Sequence, residues 1–320
     1  MKTASVTTSG TSPAPATPAK FVKTGAKHVA KHAQVIEELR LGQSIELLKE
    51  LHILTREGKL NQDTRRKLKQ VYHLYNFIEP LLNDVFTATG NAALADHGAG
   101  KSYLGFIVYD LFFNVAHQGH KTQGHIYGIE TRAELVEKSR ALAAHLGFAR
   151  MSFLNLSVQQ ATTSADLPAR IDIVTALHAC DTATDDAIAF GLAKDARHMV
   201  LVPCCQAEVA GVLKRSRALN LSKTPLAELW RHPLHTREFG SQITNVLRCL
   251  QLEANGYQVT VTELVGWEHS MKNELILASK PLAVTPSTTA KTRTAQERLQ
   301  AVLGELGLGE LTARFAVPLA

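Results

Sequence analysis

Four short stretches of this chain hold residue types whose spacing can do chemistry. The first, Asp96-His97-Gly98-Ala99-Gly100-Lys101-Ser102, follows a short apolar run, and the second is Glu130, which ends the next run. Two glycines in a strand-to-helix turn let the backbone approach a ligand closely, and an acid at a neighbouring strand end can accept both hydroxyls of a ribose. The third, His178-Ala179-Cys180-Asp181, and the fourth, Pro203-Cys204-Cys205, end two later runs and present an imidazole, a carboxylate and three thiols. His178 can take a proton near neutral pH, with Asp181 orienting it or acting itself. Cys204 is a candidate for nucleophilic or metal chemistry.

The first two stretches point to a nucleoside without phosphates. A P-loop needs a Gly separated by four residues from Gly-Lys, and that position is Ala95. A dinucleotide fingerprint needs a third Gly where Tyr103 stands. Asp-x-Gly-x-Gly followed by a strand-end acid is instead the arrangement that holds S-adenosylmethionine. For the thiols, three readings stay open. Zinc fits by ligand type, but no C-x2-C or H-x3-H spacing supports it. The string Pro-Cys-Cys-Gln echoes a nucleophilic cysteine, and small buried packing groups are the third reading.

These residues need elements to position them. Seven short apolar runs occur: 91–96, 124–130, 151–155, 171–179, 198–203, 257–265 and 274–279. The first five alternate with helical stretches, which predicts βαβ units and a parallel sheet covered on both faces. About ten residues without helical pattern separate the last two, which predicts an antiparallel hairpin. Ligands of such sheets bind beyond the carboxyl ends of the strands, where all four stretches fall. Before the sheet, residues 26–88 carry helical spacing, with Ser44 as an N-cap, Gly58 as a stop and Pro80 as an end or bend of the third helix. The expected boundaries are a disordered tail over 1–25, a helical region over 26–88, the catalytic-type domain over 89–280, a linker over 281–294 and a C-terminal helix over 295–320.

Composition bounds the function classes. The chain has 320 residues, 45% hydrophobic and 20% charged, enough for a full core, and no apolar run approaches a membrane span. Four cysteines, two of them adjacent, do not make a disulfide framework in a chain this long. A soluble, cytoplasmic protein is expected, because the N-terminus lacks the apolar segment of a secretory signal. The net charge of +6 is uneven: the excess lies in residues 1–90 and 206–240, while 91–205 is slightly acidic. The 206–240 segment is too long for a routine connection and carries Lys214, Arg215, Arg231 and Arg237. With the basic stretch 65–69 it is a candidate contact for RNA phosphates. Lys272 and Asn273, in the final hairpin turn, are further rim candidates.

Five ordered blocks, ADHGAGKSYLGF, YGIETRAELVEKS, ALHACDTATDDAIA, VLVPCC and EHSMKNELI, resemble a methyltransferase-domain family. That domain is shared by tRNA acceptor-stem 2′-O-methyltransferases and the glutathione S-transferase C-terminal-domain-containing protein. The resemblance covers roughly residues 62–280. It implies an α/β, Rossmann-like seven-stranded class I methyltransferase sheet with an N-terminal helical region. It also implies S-adenosylmethionine as methyl donor, held by Asp96, Gly98, Gly100 and Glu130, with Asn155 and the segment around Leu177 on the adenine side. Two positions depart from the family pattern: Ser102 and Asp181 stand where the family has glycine. None of the Cys/His-rich zinc modules of the tRNA enzymes is present, so the acceptor does not follow from the resemblance. RNA is the expected acceptor, with a protein, a small molecule or a non-catalytic RNA-binding role as alternatives.

Overall fold

The computed structural model describes residues 38–116, 124–204, 206–216, 221–264 and 274–316, without the side chains of His178 and Ser222. The chain divides into two units, Met1–Arg40 and Leu41–Ala320, and every element below belongs to the second. The expected tail and the first part of the expected helical region lie outside the described residues.

A seven-stranded sheet forms the centre. Its strands are β1 (Ala93–His97), β2 (His125–Glu130), β3 (Met151–Asn155), β4 (Ile173–Cys180), β5 (His198–Cys204), β6 (Gln258–Glu263) and β7 (Glu274–Ser279), in the order β3-β2-β1-β4-β5-β7-β6. The first five are parallel, and β7 runs antiparallel to both β5 and β6. All seven apolar runs are strands, and the last two pair as the expected hairpin. The order reverses direction at β1 and β4, and β1 brings the glycine turn to that switch point.

The helices follow local signals with instructive exceptions. Helix α1 (Ile45–Glu50) is capped by Ser44, whose Oγ accepts the Leu47 N–H at 3.1 Å. It stops well before Gly58: His52 takes a left-handed conformation (φ 54°), and the Ile53 N–H closes back on the Leu48 carbonyl. Burying Ile53 and Leu54 favours this early turn. Helix α2 (Gln62–Thr89) neither ends nor breaks at Pro80. Pro80 faces solvent, where water can serve the carbonyl that its ring displaces, while Leu74, Ile78, Leu82 and Val85 hold the other face in the core. After β1 the chain forms α3 (Tyr103–Val108), which widens into a π-helical stretch, Tyr109–Ala116.

Between the strands lie α4 (Ala133–His145), α5 (Val158–Thr163), α6 (Ala183–Ala193), α7 (Glu208–Ser216) and α8 (Pro233–Ala254). The stretch 281–294, expected as a linker, is helical from Pro286 onward. It belongs to α9 (Pro286–Glu305), whose N-cap Thr285 forms a capping box with Thr288. Pro at the first helical position and a capping Thr explain a helix start that composition alone disguised as linker. Leu299, Leu303, Leu306 and Phe315 pack on Val212, Leu213 and Leu247 of α7 and α8, so the C-terminal helix docks on its own chain. No helix among the described residues is long and apolar enough to cross a membrane.

Candidate active site

The glycine turn is built by backbone geometry that only a few residue types tolerate. Gly98 and Gly100 have φ of 63° and 57°, and a Cβ added to Gly98 would meet nothing within 4 Å, so the turn is open on its ligand-facing side. Ser102 is also left-handed (φ 52°), and its buried Oγ has no hydrogen-bond partner among the described residues. Asp181 has φ 51°. At both positions where the chain departs from glycine, the backbone thus keeps the conformation glycine adopts freely. Asp tolerates it through local hydrogen bonds, whereas Ser carries strain.

Two carboxylates flank the turn in contrasting states. Asp96 is 2% exposed and accepts a hydrogen bond from Thr175 Oγ1 at 2.7 Å, its register partner on β4. Burial pushes its carboxyl up to about 7, with the Thr175 bond opposing. Burial acts the same way on Glu130, but it is outweighed. The Arg132 guanidinium, its own N–H and the Gly100 N–H hold Glu130 at about 2. Arg132 grips it with both nitrogens, Nε to Oε1 and Nη2 to Oε2, each at 3.1 Å, and the Gly100 N–H adds 2.9 Å to Oε2. The carboxylate therefore presents two ionised oxygens at the strand end, with a 60% exposed arginine side chain over them. His97, next to Asp96 in β1, is buried and driven down to about 3 by that burial, its ring edge-on to Phe190.

The other expected cofactor residues lie near this cradle. Asn155 pairs in register with Glu130, and its Nδ2 donates to the Glu130 and Thr131 carbonyls at 3.1 and 2.8 Å, which fixes the β2–α4 turn. Leu177 lies in β4 opposite Val202, half-buried. A cavity of about 520 Å³ beside the turn, lined by His52, Lys101, Tyr103, Leu142 and His145, lies between α1 and α4 and does not include either acid.

At the ends of β4 and β5 the geometry is different. The strand register shifts between Leu177 and Cys180, which sets Cys180 directly opposite Cys204 with their sulfurs 3.2 Å apart. Asp181 Oδ1 accepts the Ala207 and Glu208 N–H groups at 2.9 and 3.3 Å, so this carboxylate caps α7. The expectation that it orients His178 or acts as a base meets this competing use. The His178 side chain, Cys205, Lys272 and Asn273 lie outside the described residues. Among the described residues no group of three His, Cys, Asp or Glu side chains can hold a metal ion.

The basic candidates are on the surface. Lys214 is exposed, Arg215 pairs with Glu310, and Arg231 and Arg237 reach Glu228 and Glu238, each at 3.2 Å. Trp230 meets Phe239 edge-on with centroids 5.5 Å apart and packs into the α7–α9 cluster, which makes it an anchor of the insertion.

Sequence reasoning missed a buried polar network behind these strand ends. Arg248, fully buried in α8, forms a two-pronged bond to Asp185, both contacts at 2.7 Å, and donates to the Asp181 carbonyl at 2.8 Å. It also reaches Asn245, which links Gln206 to Glu274. One network thus ties the turn after β4, the turn after β5 and the start of β7. An arginine inside the apolar string VLRCLQL was the available signal.

Residues 66–212 match the family Methyltransf_32, described as a methyltransferase domain. No curated protein matches the chain in sequence. Among solved structures, it is similar to the SAH-bound Podospora anserina methyltransferase PaMTH1 (10% identity, TM-score 0.43), with 83% of this chain and 100% of that one covered. It is also similar to magnesium protoporphyrin IX methyltransferase from Synechocystis (11%, 0.39), with 80% and 98% covered. A third similar structure is Aeropyrum pernix fibrillarin (11%, 0.35), with 59% and 66% covered. The strand order and the glycine turn with its acidic partner agree with the match of residues 66–212 to a methyltransferase domain.

Proposed function

We propose that this methyltransferase binds S-adenosylmethionine across the Asp96–Gly100 turn and transfers its methyl group directly to RNA. The observation that carries the cofactor part is the ionised, two-oxygen face of Glu130 beside the open Gly98 turn. A ribose diol needs two acceptor oxygens side by side, and Glu130 offers them. Arg132 uses the same two oxygens, so the diol and the guanidinium compete for them. Asp96, buried next to the turn, favours a cationic group nearby whenever it is ionised. The donor supplies an electrophilic methyl on a sulfonium. The chain's part is to align that methyl with an acceptor atom and to remove the acceptor's proton, for which His178 is the candidate.

The RNA part rests on charge. Arg66, Lys67 and Lys69 are exposed in the first two turns of α2, where the helix dipole disfavours positive charge. Cations there do nothing for the helix and suit an external polyanion. Lys214, Arg215, Arg231 and Arg237 add an exposed basic surface on the insertion. A protein or small-molecule acceptor is the second reading, favoured by the in-chain acids that already engage Arg215, Arg231 and Arg237.

Incubating the protein with tritiated-methyl S-adenosylmethionine and either total RNA or total protein tests the assignment. Label in RNA, with RNA binding that weakens steeply as salt is raised, is the expected result. Label in protein alone, or salt-insensitive RNA binding, would replace RNA with the second reading.

A further inference from the structure

Cys180 and Cys204 stand out once the cofactor cradle is accounted for. They end neighbouring parallel strands, are direct register partners, and place their sulfurs 3.2 Å apart. Adjacent strands run about 4.8 Å apart, inside the Cα separation of about 4.4–6.8 Å that a disulfide accepts. Cys180 is exposed and Cys204 half-exposed, so a small oxidant reaches the pair from the ligand side of the sheet.

We propose that Cys180 and Cys204 are a disulfide-forming pair, closed by a peroxide and reopened by thiols. The Cys180 thiol gives up its proton, its sulfur attacks one peroxide oxygen, the O–O bond breaks, and Cys180 becomes a sulfenic acid as the departing hydroxide takes up that proton to leave as the first water. The Cys204 sulfur then attacks the sulfenic sulfur, the S–S bond forms, and the hydroxyl departs with the thiol proton as the second water. Two thiols are oxidised and one peroxide is reduced to two waters. Metal ligation fits less well: two thiolates on a tetrahedral zinc, with Zn–S near 2.3 Å, lie about 3.8 Å apart. Cys249 is an internal contrast, since burial pushes its thiol up to about 12 and leaves little reactive thiolate. The bond would join the two turns that carry Asp181 and the start of α7, at the entrance expected for the methyl acceptor.

The test uses the full chain, treated with hydrogen peroxide while folded, then alkylated in denaturant without reduction, digested and read by mass spectrometry. The expected result is a Cys180–Cys204 linked peptide lacking two hydrogens, restored to two alkylated thiols by dithiothreitol, while Cys249 stays alkylated throughout. Cys204→Ser should abolish the linked peptide, and Cys205→Ser should retain it. The pairing is overturned by a bond to Cys205, by a link between chains, or by both thiols remaining alkylated. Zinc released to a chromogenic chelator on thiol oxidation would also overturn it, in favour of a metal site. None of these readouts depends on the methyl acceptor.

Discussion

The two halves of the sheet's carboxyl edge handle polar groups in opposite ways. Beside β1 and β2, Asp96 and Glu130 border an open turn, and the group covering Glu130 is a mobile-type surface side chain, Arg132, 60% exposed. Beside β4 and β5, polar groups are engaged internally: Asp181 caps α7, and Arg248 locks Asp185, Asn245 and the Asp181 carbonyl. The first half is arranged to exchange an internal partner for a ligand. The second is arranged to hold its loops still.

The contrast can be broken most forcefully at Arg248. Arg248→Met leaves Asp185 buried and unpaired, and the expected loss is about 3–5 kcal/mol of unfolding free energy, read by urea denaturation. A loss below about 1 kcal/mol would mean that the network is not holding these turns. The next effect is a pH dependence from Asp96. Its carboxyl is raised to about 7 when folded, so the folded chain holds this proton more tightly than the unfolded one. This group's contribution is most favourable below about pH 4 and is lost as pH rises toward 7, by up to about 1.4 kcal/mol per pH unit. Asp96→Asn should flatten that slope in denaturation curves taken across this range. An unchanged slope would show that Asp96 titrates normally.

Smaller effects separate cap from strain. Asp181→Ala should cost about 0.5–2 kcal/mol through the lost α7 cap, together with its own left-handed strain. Asp181→Gly, which relieves the strain and loses only the cap, should cost less. Ser102→Gly should stabilise by up to about 1 kcal/mol, because the position is left-handed and its buried hydroxyl lacks a partner. Thermal unfolding reads both, and a destabilised Ser102→Gly would show that the hydroxyl has a partner in solution.

The same division explains what was legible in the sequence. The glycine turn, Glu130 and the seven strands are local patterns, each readable from a few adjacent residues and the alternation around them. The second half depends on contacts between distant residues: Arg248 and Asp185 are 63 positions apart, Asp181 and Ala207 are 26, and Thr175 and Asp96 are 79. No periodicity reports those pairings. Helix ends were hidden for related reasons. His52 closes α1 in place of Gly58 because tertiary burial of Ile53 and Leu54 decides the turn, and Pro80 stays inside α2 because its face meets water. The start of α9 was the converse, a cap and a proline read as linker chemistry.

The most direct test of the account is isothermal calorimetry with S-adenosylmethionine on the wild type and on Glu130→Ala. Binding by the wild type and a loss of about 10- to 100-fold in the variant is expected, matching roughly 1.5–3 kcal/mol for hydrogen bonds to a charged acceptor. Absence of binding by the wild type, or equal affinity in the two proteins, would contradict the claim that the Glu130 face beside the glycine turn holds the methyl donor.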